Sequence, residues 1–381
     1  MDFELTDEQR SLRESIVEFA QRELNEDVLG RDKAATFSRE AWDKCAGLGL
    51  LGLPVPTEYG GAGADALTTL VALEALGYAC TDNGLVFSLN AQMWACETPI
   101  AHFGTEEQKR RYLPGLCDGS LLAAHGMSEP GSGSDAFALA TTAMKTDGGY
   151  VLDGSKTFVT NAPEADLHIL FATIDRSLGF AGITAFLVEK GTPGLSVGNP
   201  LSKMGLRTSP MSEVVLESCE VPDEALLGKP GGGMVIFNTS MTWERGCILA
   251  STVGGMERQL ERSLAYAQER KQFGQPIGSF QAVAHTLVDM KIRLETARLL
   301  LYRLGWLLDT DRPATLDSAL VKLYLSECYV RSSLDALQVH GGYGYMTEYE
   351  LEREVRDALG SKIYSGTSEI QYNIAARSMG L

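Results

Sequence analysis

Short segments rich in glycine, serine, aromatic and basic residues carry the side chains of this sequence that could bind a ligand. Glycines and serines at 127–135 offer backbone N–H groups and hydroxyls that can hold an anion or the edge of a planar ring. Residues 156–162 place an aromatic side chain beside a hydroxyl at the end of a strand. The basic run at 269–274 could direct Arg270 at a phosphate.

Two further segments, 338–345 and 363–371, complete this set of candidate binding motifs. In the first, the adjacent Gly341 and Gly342 would let the backbone approach a ligand closely. Each motif taken alone also suits an ordinary turn, a core strand or a helix C-cap. Motifs of other chemistries are absent from the sequence, which has no GxGxxG after a strand, no GxxxxGK[ST] and no HExxH. The five histidines lack metal-ligand spacing, so no metal site is predicted.

Composition narrows the class of protein. The 381 residues carry a formal net charge of -17, which disfavours nucleic acid as a partner because phosphates would be repelled. The seven cysteines form no CxxC pair, as expected of reduced thiols in the cytoplasm. The acidic N-terminal decapeptide has no apolar core, and no uncharged apolar run reaches membrane-spanning length. We therefore expect a cytoplasmic protein with neither a signal peptide nor a membrane span.

Three blocks of secondary structure must position the motifs. Residues 1–120 should be helical, beginning with a capping box between Thr6 and Gln9. Residues 121–230 should form a β domain, with strands at 150–152 and 157–160 separated by a turn at Asp153-Gly154. Residues 231–381 return to helical spacing. Helices around an inserted β domain are predicted, not the alternating order of a doubly wound sheet.

Two long apolar stripes in the last block predict an antiparallel bundle broken at Arg312-Pro313. The first stripe is Leu287, Met290, Leu294, Ala297, Leu301, Leu304 and Leu308. The second is Leu316, Leu320, Leu323, Glu327, Val330, Leu334 and Leu337. Since a lone buried charge is costly, Glu327 is interpreted as ion-paired or at the bundle edge.

In this order and spacing, the five motifs resemble the acyl-CoA dehydrogenase family over essentially the whole chain. Residues 104–109 (Gly-Thr-Glu-Glu-Gln-Lys) and 203–207 (Lys-Met-Gly-Leu-Arg) add to the resemblance. It implies an N-terminal helical domain, a central β-barrel-like domain and a C-terminal four-helix bundle. It also implies FAD as cofactor, a homotetramer, and an electron-transfer flavoprotein or oxygen as electron acceptor.

The resemblance assigns cofactor contacts motif by motif. Met127 and Ser128 would lie along the flavin ring, and Ser134 near the pyrophosphate. Phe158 would pack on the isoalloxazine, where the family commonly has Trp, and Thr160 would lie near flavin N5.

Other cofactor contacts would come from the C-terminal block. Thr367 and Glu369 would lie near the adenosine half of FAD. A neighbouring subunit would supply Arg270, Phe273, Gln281, Gln338, Gly341 and Gly342.

The family reaction needs a carboxylate that removes the α-proton of an acyl thioester. Most members carry this Glu directly before the Gly-Thr of the last motif, where this sequence has Ser365. A minority, such as isovaleryl-CoA dehydrogenase, hold the base at a position that Glu244 matches. Glu244 is therefore the predicted base, with Arg245 and Ser365 in the substrate pocket. The alternative is an exposed Glu244 paired with Arg245 or with a helix neighbour.

The run 243–247 (Trp-Glu-Arg-Gly-Cys) with the Ser-Gly-Thr ending looks like dehydrogenases that oxidise L-prolyl groups on a peptidyl carrier protein. This resemblance implies FAD-dependent α,β-dehydrogenation of a thioester carried by a carrier protein or by CoA. Alternatives are a short- or branched-chain acyl-CoA dehydrogenase, a flavin monooxygenase, or an enoyl-thioester reductase on the same fold. A binding protein without catalysis is a further alternative.

Overall fold

The N-terminal block is helical in the computed structural model, which describes residues 4–381. Residues 1–3, the start of the segment in which no signal peptide is expected, lie outside that range. The predicted capping box opens the first helix, because Gln9 N donates to Thr6 Oγ1 (3.2 Å) and Thr6 N donates to Gln9 Oε1 (3.1 Å). The helices are α1 Asp7–Glu23, α2 Val28–Ala34, α3 Arg39–Gly47, α4 Ala66–Ala79, α5 Asn83–Gln92, α6 Thr98–Phe103 and α7 Glu106–Cys117.

A π-helical turn, Met93–Glu97, joins α5 to α6. Such turns insert one extra residue and often lie at functional sites. Trp94 and Glu97 are both fully buried here. The turn contacts the first helix of the C-terminal block, so it sets how the two helical blocks meet.

The middle block is one mixed sheet of eight strands in the order β6-β7-β3-β2-β4-β5-β8, with β1 paired to β4. The predicted turn at Asp153-Gly154 is wrong. One strand runs through it, and the pairing with its neighbour shifts at this point, as a β-bulge does. The strands are β1 Ala123–Gly126, β2 Thr142–Thr146, β3 Gly149–Thr160, β4 Leu167–Thr173, β5 Ile183–Glu189, β6 Leu195–Val197, β7 Met211–Pro222 and β8 Leu226–Leu227.

The C-terminal block contains the predicted bundle helices and one short hairpin. The break at Arg312-Pro313 is confirmed, since it lies between two long helices. The elements are α8 Gly233–Cys247, α9 Ala250–Glu269, β9 Lys271–Gln272, β10 Gln275–Pro276, α10 Gln281–Asp309, α11 Thr315–His340, α12 Leu351–Gly360 and α13 Ser368–Ser378. The predicted fold class, helices around an inserted β domain, is confirmed.

The apolar stripe predicted on α10 is buried except for the half-buried Leu308, but the stripe predicted on α11 is wrong. Leu320 and Leu334 are exposed, whereas Ser326, Ser332 and Ser333 are buried. Because α8, α9, α10, α12 and α13 all contact α11, its inner face needs small side chains for close approach. Glu327 is exposed and pairs with Lys362 at 2.8 Å, which confirms its interpretation as an ion-paired residue.

Three further features concern membrane spans, metal sites and disulfide bonds. Within residues 4–381, no helix combines the length and apolar character that crossing a membrane requires. The same residues contain no cluster of three or more His, Cys, Asp or Glu side chains able to hold a metal ion. All seven cysteines are buried and free.

Candidate active site

Glu244 lies in the last turn of α8. Two neighbours in the motif fix this end of α8. Trp243 stacks on Trp94 of the π-helical turn, with ring centroids 6.0 Å apart. A Cβ on Gly246 would lie 2.3 Å from Leu304 Cδ2, so glycine is what lets α8 approach α10 closely.

The Glu244 carboxyl is buried and hydrogen-bonded. The residue is 9% exposed, and Ser365 Oγ donates to its Oε1 at 2.5 Å. Burial raises the pKa of Glu244, opposed by the Ser365 hydrogen bond and the positive charges of Arg245 and Lys322. The alternative of an exposed Glu244 is therefore wrong. A buried carboxylate of raised basicity beside cations can act as a general base.

Ser365 is held by the turn that precedes α13. Its φ of 55° and the φ of 92° at Gly366 form a left-handed pair that reverses the chain. Gln371 Nε2 donates to the carbonyls of both residues, at 3.1 and 2.9 Å. Thr367 caps α13 by accepting from Ile370 N. The hydroxyl that faces Glu244 is thus placed by a locked turn.

One residue of this site was missed by the sequence analysis. Lys322 is fully buried on α11, and its Nζ has no hydrogen-bond partner among residues 4–381. Burial, with repulsion from Arg245, lowers the pKa of Lys322 to about 8. Its ammonium lies 6.0 Å from the ring centre of Tyr364, the residue before Ser365. The wrong stripe on α11 hid Lys322, because that assignment turned it toward solvent.

The glycine-serine loop at 127–135 is held in place by a buried ion pair, which the sequence analysis also missed. Lys156 Nζ lies 2.6 Å from Glu129 Oε1 and donates to the Met127 carbonyl at 3.4 Å. Glu129 in turn accepts from the backbone N–H groups of Ala140 and Thr141. Both charged residues stand inside motifs chosen from the sequence, but only the fold shows that they pair.

Phe158 and nearby hydroxyls form a surface that fits a flavin. Phe158 is 66% exposed, and its backbone is left-handed (φ 56°) although it lies in β3. A phenyl side chain in a strand normally packs on the buried face of the sheet. The hydroxyls of Ser128, Ser134 and Thr160 make no hydrogen bond within residues 4–381. Met127 is buried at the start of the loop. An exposed aromatic platform flanked by free hydroxyls suits a flat ring with polar edges.

The residues assigned to a neighbouring subunit form a second cluster. Arg270 caps α9, its guanidinium lies 5.5 Å from the ring centre of Tyr343, and Phe273 at the hairpin tip is 93% exposed. Gln281, Gln338, Gly341 and Gly342 are exposed at the adjoining ends of α10 and α11. No hydrogen bond or ring contact in the described range joins this cluster to Glu244. Glu369 is exposed in the first turn of α13.

Family profiles match most of the chain. The acyl-CoA dehydrogenase N-terminal domain matches residues 6–120, the middle domain residues 124–219 and the C-terminal domain residues 231–380.

Individual relatives match over full length. The chain is 44% identical to the L-prolyl-[peptidyl-carrier protein] dehydrogenase of a Serratia species, covering 100% of this chain and 99% of the relative. The solved structure of the prolyl acyl carrier protein oxidase AnaB has 52% identity and a TM-score of 0.98, covering 99% of this chain and 100% of that one. The structure of PigA with FAD and proline has 44% identity and a TM-score of 0.98, with 100% of both chains covered.

Proposed function

Since the chain belongs to the acyl-CoA dehydrogenase family, we propose that it removes two hydrogens across the α and β carbons of a prolyl thioester on a carrier protein, using FAD. The observation that carries the proposal is the buried Glu244 carboxyl with Ser365 Oγ 2.5 Å away. Ser365 occupies the position where most family members have the base, and it donates to the acid that replaces it. The two residues therefore act as one unit.

Glu244 takes the α-proton. Burial raises the pKa of its carboxyl, which makes the carboxylate a stronger base. Arg245, Lys322 and the Ser365 hydroxyl oppose that rise, because each of them stabilises the charged carboxylate. The α-proton is therefore received by a carboxylate that is fixed in place before the substrate arrives.

FAD, when bound, supplies the two-electron acceptor for the hydride of the β carbon. We assign Met127, Ser128, Ser134, Phe158 and Thr160 to its flavin and pyrophosphate portions. Thr367 and Glu369 are assigned to its adenosine half. Arg270, Phe273, Gln281, Gln338, Gly341 and Gly342 would serve the FAD of a neighbouring subunit. PigA, which is 44% identical over the whole chain, was solved with FAD, and this supports the assignment.

The prolyl substrate is proposed from similarity to relatives. AnaB and the Serratia protein, both named for prolyl carrier protein substrates, match the chain end to end. A short- or branched-chain acyl-CoA is the second candidate, since it presents the same thioester.

Assembly, location and electron acceptor complete the proposal. Exposed apolar side chains line α10 and α11, as expected of helices that pack against another copy in a homotetramer: Val288, Ile292, Leu299, Leu320 and Leu334. The free buried cysteines support a reducing, cytoplasmic location. An electron-transfer flavoprotein or oxygen would reoxidise the flavin.

Anaerobic flavin reduction tests the function. Prolyl-carrier protein should bleach the yellow flavin absorbance of the purified protein, and isovaleryl-CoA or butyryl-CoA should do so more slowly. Glu244→Gln should keep FAD bound but bleach at least about a thousandfold more slowly, because an amide cannot accept the α-proton. Bleaching by Glu244→Gln at the unaltered rate would rule out Glu244 as the base. Substrate hydroxylation by oxygen with reduced flavin would identify a monooxygenase.

A further inference from the structure

We propose that a cavity beside the π-helical turn binds a small organic ammonium ion, held by the Glu97 carboxylate and two indole rings. The cavity contains about 320 Å³ of empty space, part of it open to solvent. Trp94, Glu97 and Trp243 line it, whereas Glu244 and Ser365 do not. The inference is independent of the proposed reaction, because the cavity involves neither the base nor its hydroxyl partner.

The π-helical turn and α6 form one side of the cavity. The residues that they contribute recur at intervals of three and four positions, as one face of a helical segment does: Trp94, Glu97, Thr98, Ala101 and His102. Trp94 and Glu97 are fully buried, whereas His102 is exposed. The cavity is therefore closed at the glutamate and opens near the histidine.

The Glu97 carboxyl has one oxygen without a partner. Gln92 Nε2 donates to its Oε1 at 2.9 Å, but its Oε2 is buried and has no hydrogen-bond partner among residues 4–381. Such an atom calls for an explanation, because native proteins pair nearly all of their buried polar groups. A ligand in the cavity that Glu97 lines provides the partner.

The walls of the cavity favour a cation as that partner. Trp94 and Trp243 both line it, and indole attracts ammonium groups more strongly than other aromatic side chains do. No lysine or arginine is among the described residues that line the cavity, so no resident side chain of either type repels the ion. A buried cation also needs an opposite charge, which Glu97 supplies when it loses its proton.

Size and oxygen count narrow the class of ligand. The space is near the lower end of the range of about 300–1,000 Å³ that is typical of ligand pockets, so the ion must be compact. Among the described residues that line the cavity, Glu97 and Thr98 have the only side-chain oxygens. They supply too few ligands for a calcium ion, which takes about six or more.

Calorimetry with tetramethylammonium chloride tests the site, because the charge of this ion does not depend on pH. Burial raises the pKa of Glu97 to about 8, so the carboxyl is protonated at pH 7 and binding should release most of one proton. The release is measured as a difference in binding heat between buffers of unlike ionisation enthalpy. Sodium chloride at the same ionic strength corrects for general salt effects.

Two glutamine variants locate the binding. Glu97→Gln can still accept from Gln92 but cannot become negative, so affinity should fall at least about tenfold and proton release should disappear. Glu107→Gln is the control, because it removes a negative charge from an exposed side chain on the neighbouring α7. Its affinity and proton release should match those of the unaltered protein.

The affinity should rise with pH up to about 8 and level off above it, because the ion then no longer displaces a proton. His102 is the other titratable side chain among the described residues of the lining. Cys96 and Cys117 feel the charge of Glu97, but burial raises the pKa of both thiols, so they stay neutral. His102→Gln should therefore keep the rise, and Glu97→Gln should lose it.

A neutral probe decides the class of ligand. Tert-butyl alcohol has a similar shape without the charge and should bind at least about tenfold more weakly than tetramethylammonium. Equal affinity for the two probes would make Glu97 a donor to neutral molecules, and the ammonium site would be wrong. Binding of tetramethylammonium that Glu97→Gln leaves unaltered, or no binding of either probe, would also overturn the site.

Discussion

At the scale of single residues, the active site joins groups that are far apart in sequence. Glu244 and Ser365 could be named from their motifs, but not the hydrogen bond between them, because they are 121 residues apart. Lys322 could not be named, since a buried lysine beside a ring has no periodic signature. Motif spacing shows which residue types are present, whereas the packing of α8 on α11 determines which of them meet.

Replacing Ser365 with alanine tests the hydrogen bond to Glu244. The Ser365 hydroxyl lowers the pKa of Glu244, so its loss should raise that pKa further. A larger fraction of the base is then protonated at any pH on the acidic limb of the profile. We expect the acidic limb of the kcat/KM profile to move up by about one pH unit, so that kcat/KM on that limb falls about tenfold. Stopped-flow flavin reduction across pH measures both.

Ser368→Ala provides the comparison for Ser365→Ala. Ser368 lies three residues further on and donates to another glutamate, Glu327, at 3.2 Å. The pH profile of this variant should match that of the unaltered protein. If Ser365→Ala also leaves the profile in place, Ser365 does not tune the base.

At the scale of elements, β3 is the part that sequence patterns described least well. Its apolar runs on either side of Asp153-Gly154 look like two strands, and only the pairing with β7 shows one bulged strand. That strand carries Lys156, Phe158 and Thr160, so its bulge and the left-handed Phe158 determine the surface proposed for the flavin. Helices with strong caps, such as α1, were predictable because their signals are local. The inner face of α11 was not, since it depends on neighbouring helices.

The buried pair between Glu129 and Lys156 should hold β3 and the 127–135 loop together. Lys156→Met leaves the Glu129 carboxyl buried without its cation, which should cost about 3–5 kcal/mol of stability. The side chains are 3% and 0% exposed, so water cannot replace the lost partner. We expect a lower melting temperature of the FAD-free protein and weaker FAD binding, measured by thermal unfolding and by fluorescence of released flavin.

Two further variants delimit the role of this pair. Combining Lys156→Met with Glu129→Gln removes both charges and should recover part of the lost stability. Lys145→Met breaks a pair of equal length, 2.6 Å, whose side chains are 51% and 55% exposed, and should cost less than about 1 kcal/mol. A Lys156→Met protein as stable as Lys145→Met, with unaltered FAD affinity, would contradict the anchoring role.

At the scale of the whole molecule, two kinds of exposed side chain lie on the C-terminal block. The stripe wrongly predicted to face inward on α11 leaves Leu320 and Leu334 at the surface, beside the exposed Val288, Ile292 and Leu299 of α10. The cluster around Arg270 and Phe273 lies at the ends of these helices. Within residues 4–381, the cluster makes no hydrogen bond or ring contact with Glu244. Such a cluster next to an apolar band is what we expect where two subunits share a cofactor site.

The double variant Leu320→Glu/Leu334→Glu tests that assembly. Like charges on the band should dissociate the proposed homotetramer, as seen by light scattering after size-exclusion chromatography. If Arg270 and Phe273 serve a neighbour's FAD, the dissociated protein should also lose most of its flavin while remaining folded. Met144→Glu, on the 63% exposed side chain of β2, adds a charge elsewhere and should change neither property. Dissociated subunits that retain FAD at unaltered affinity would place the whole cofactor site within one chain, and the cluster around Arg270 would need another partner.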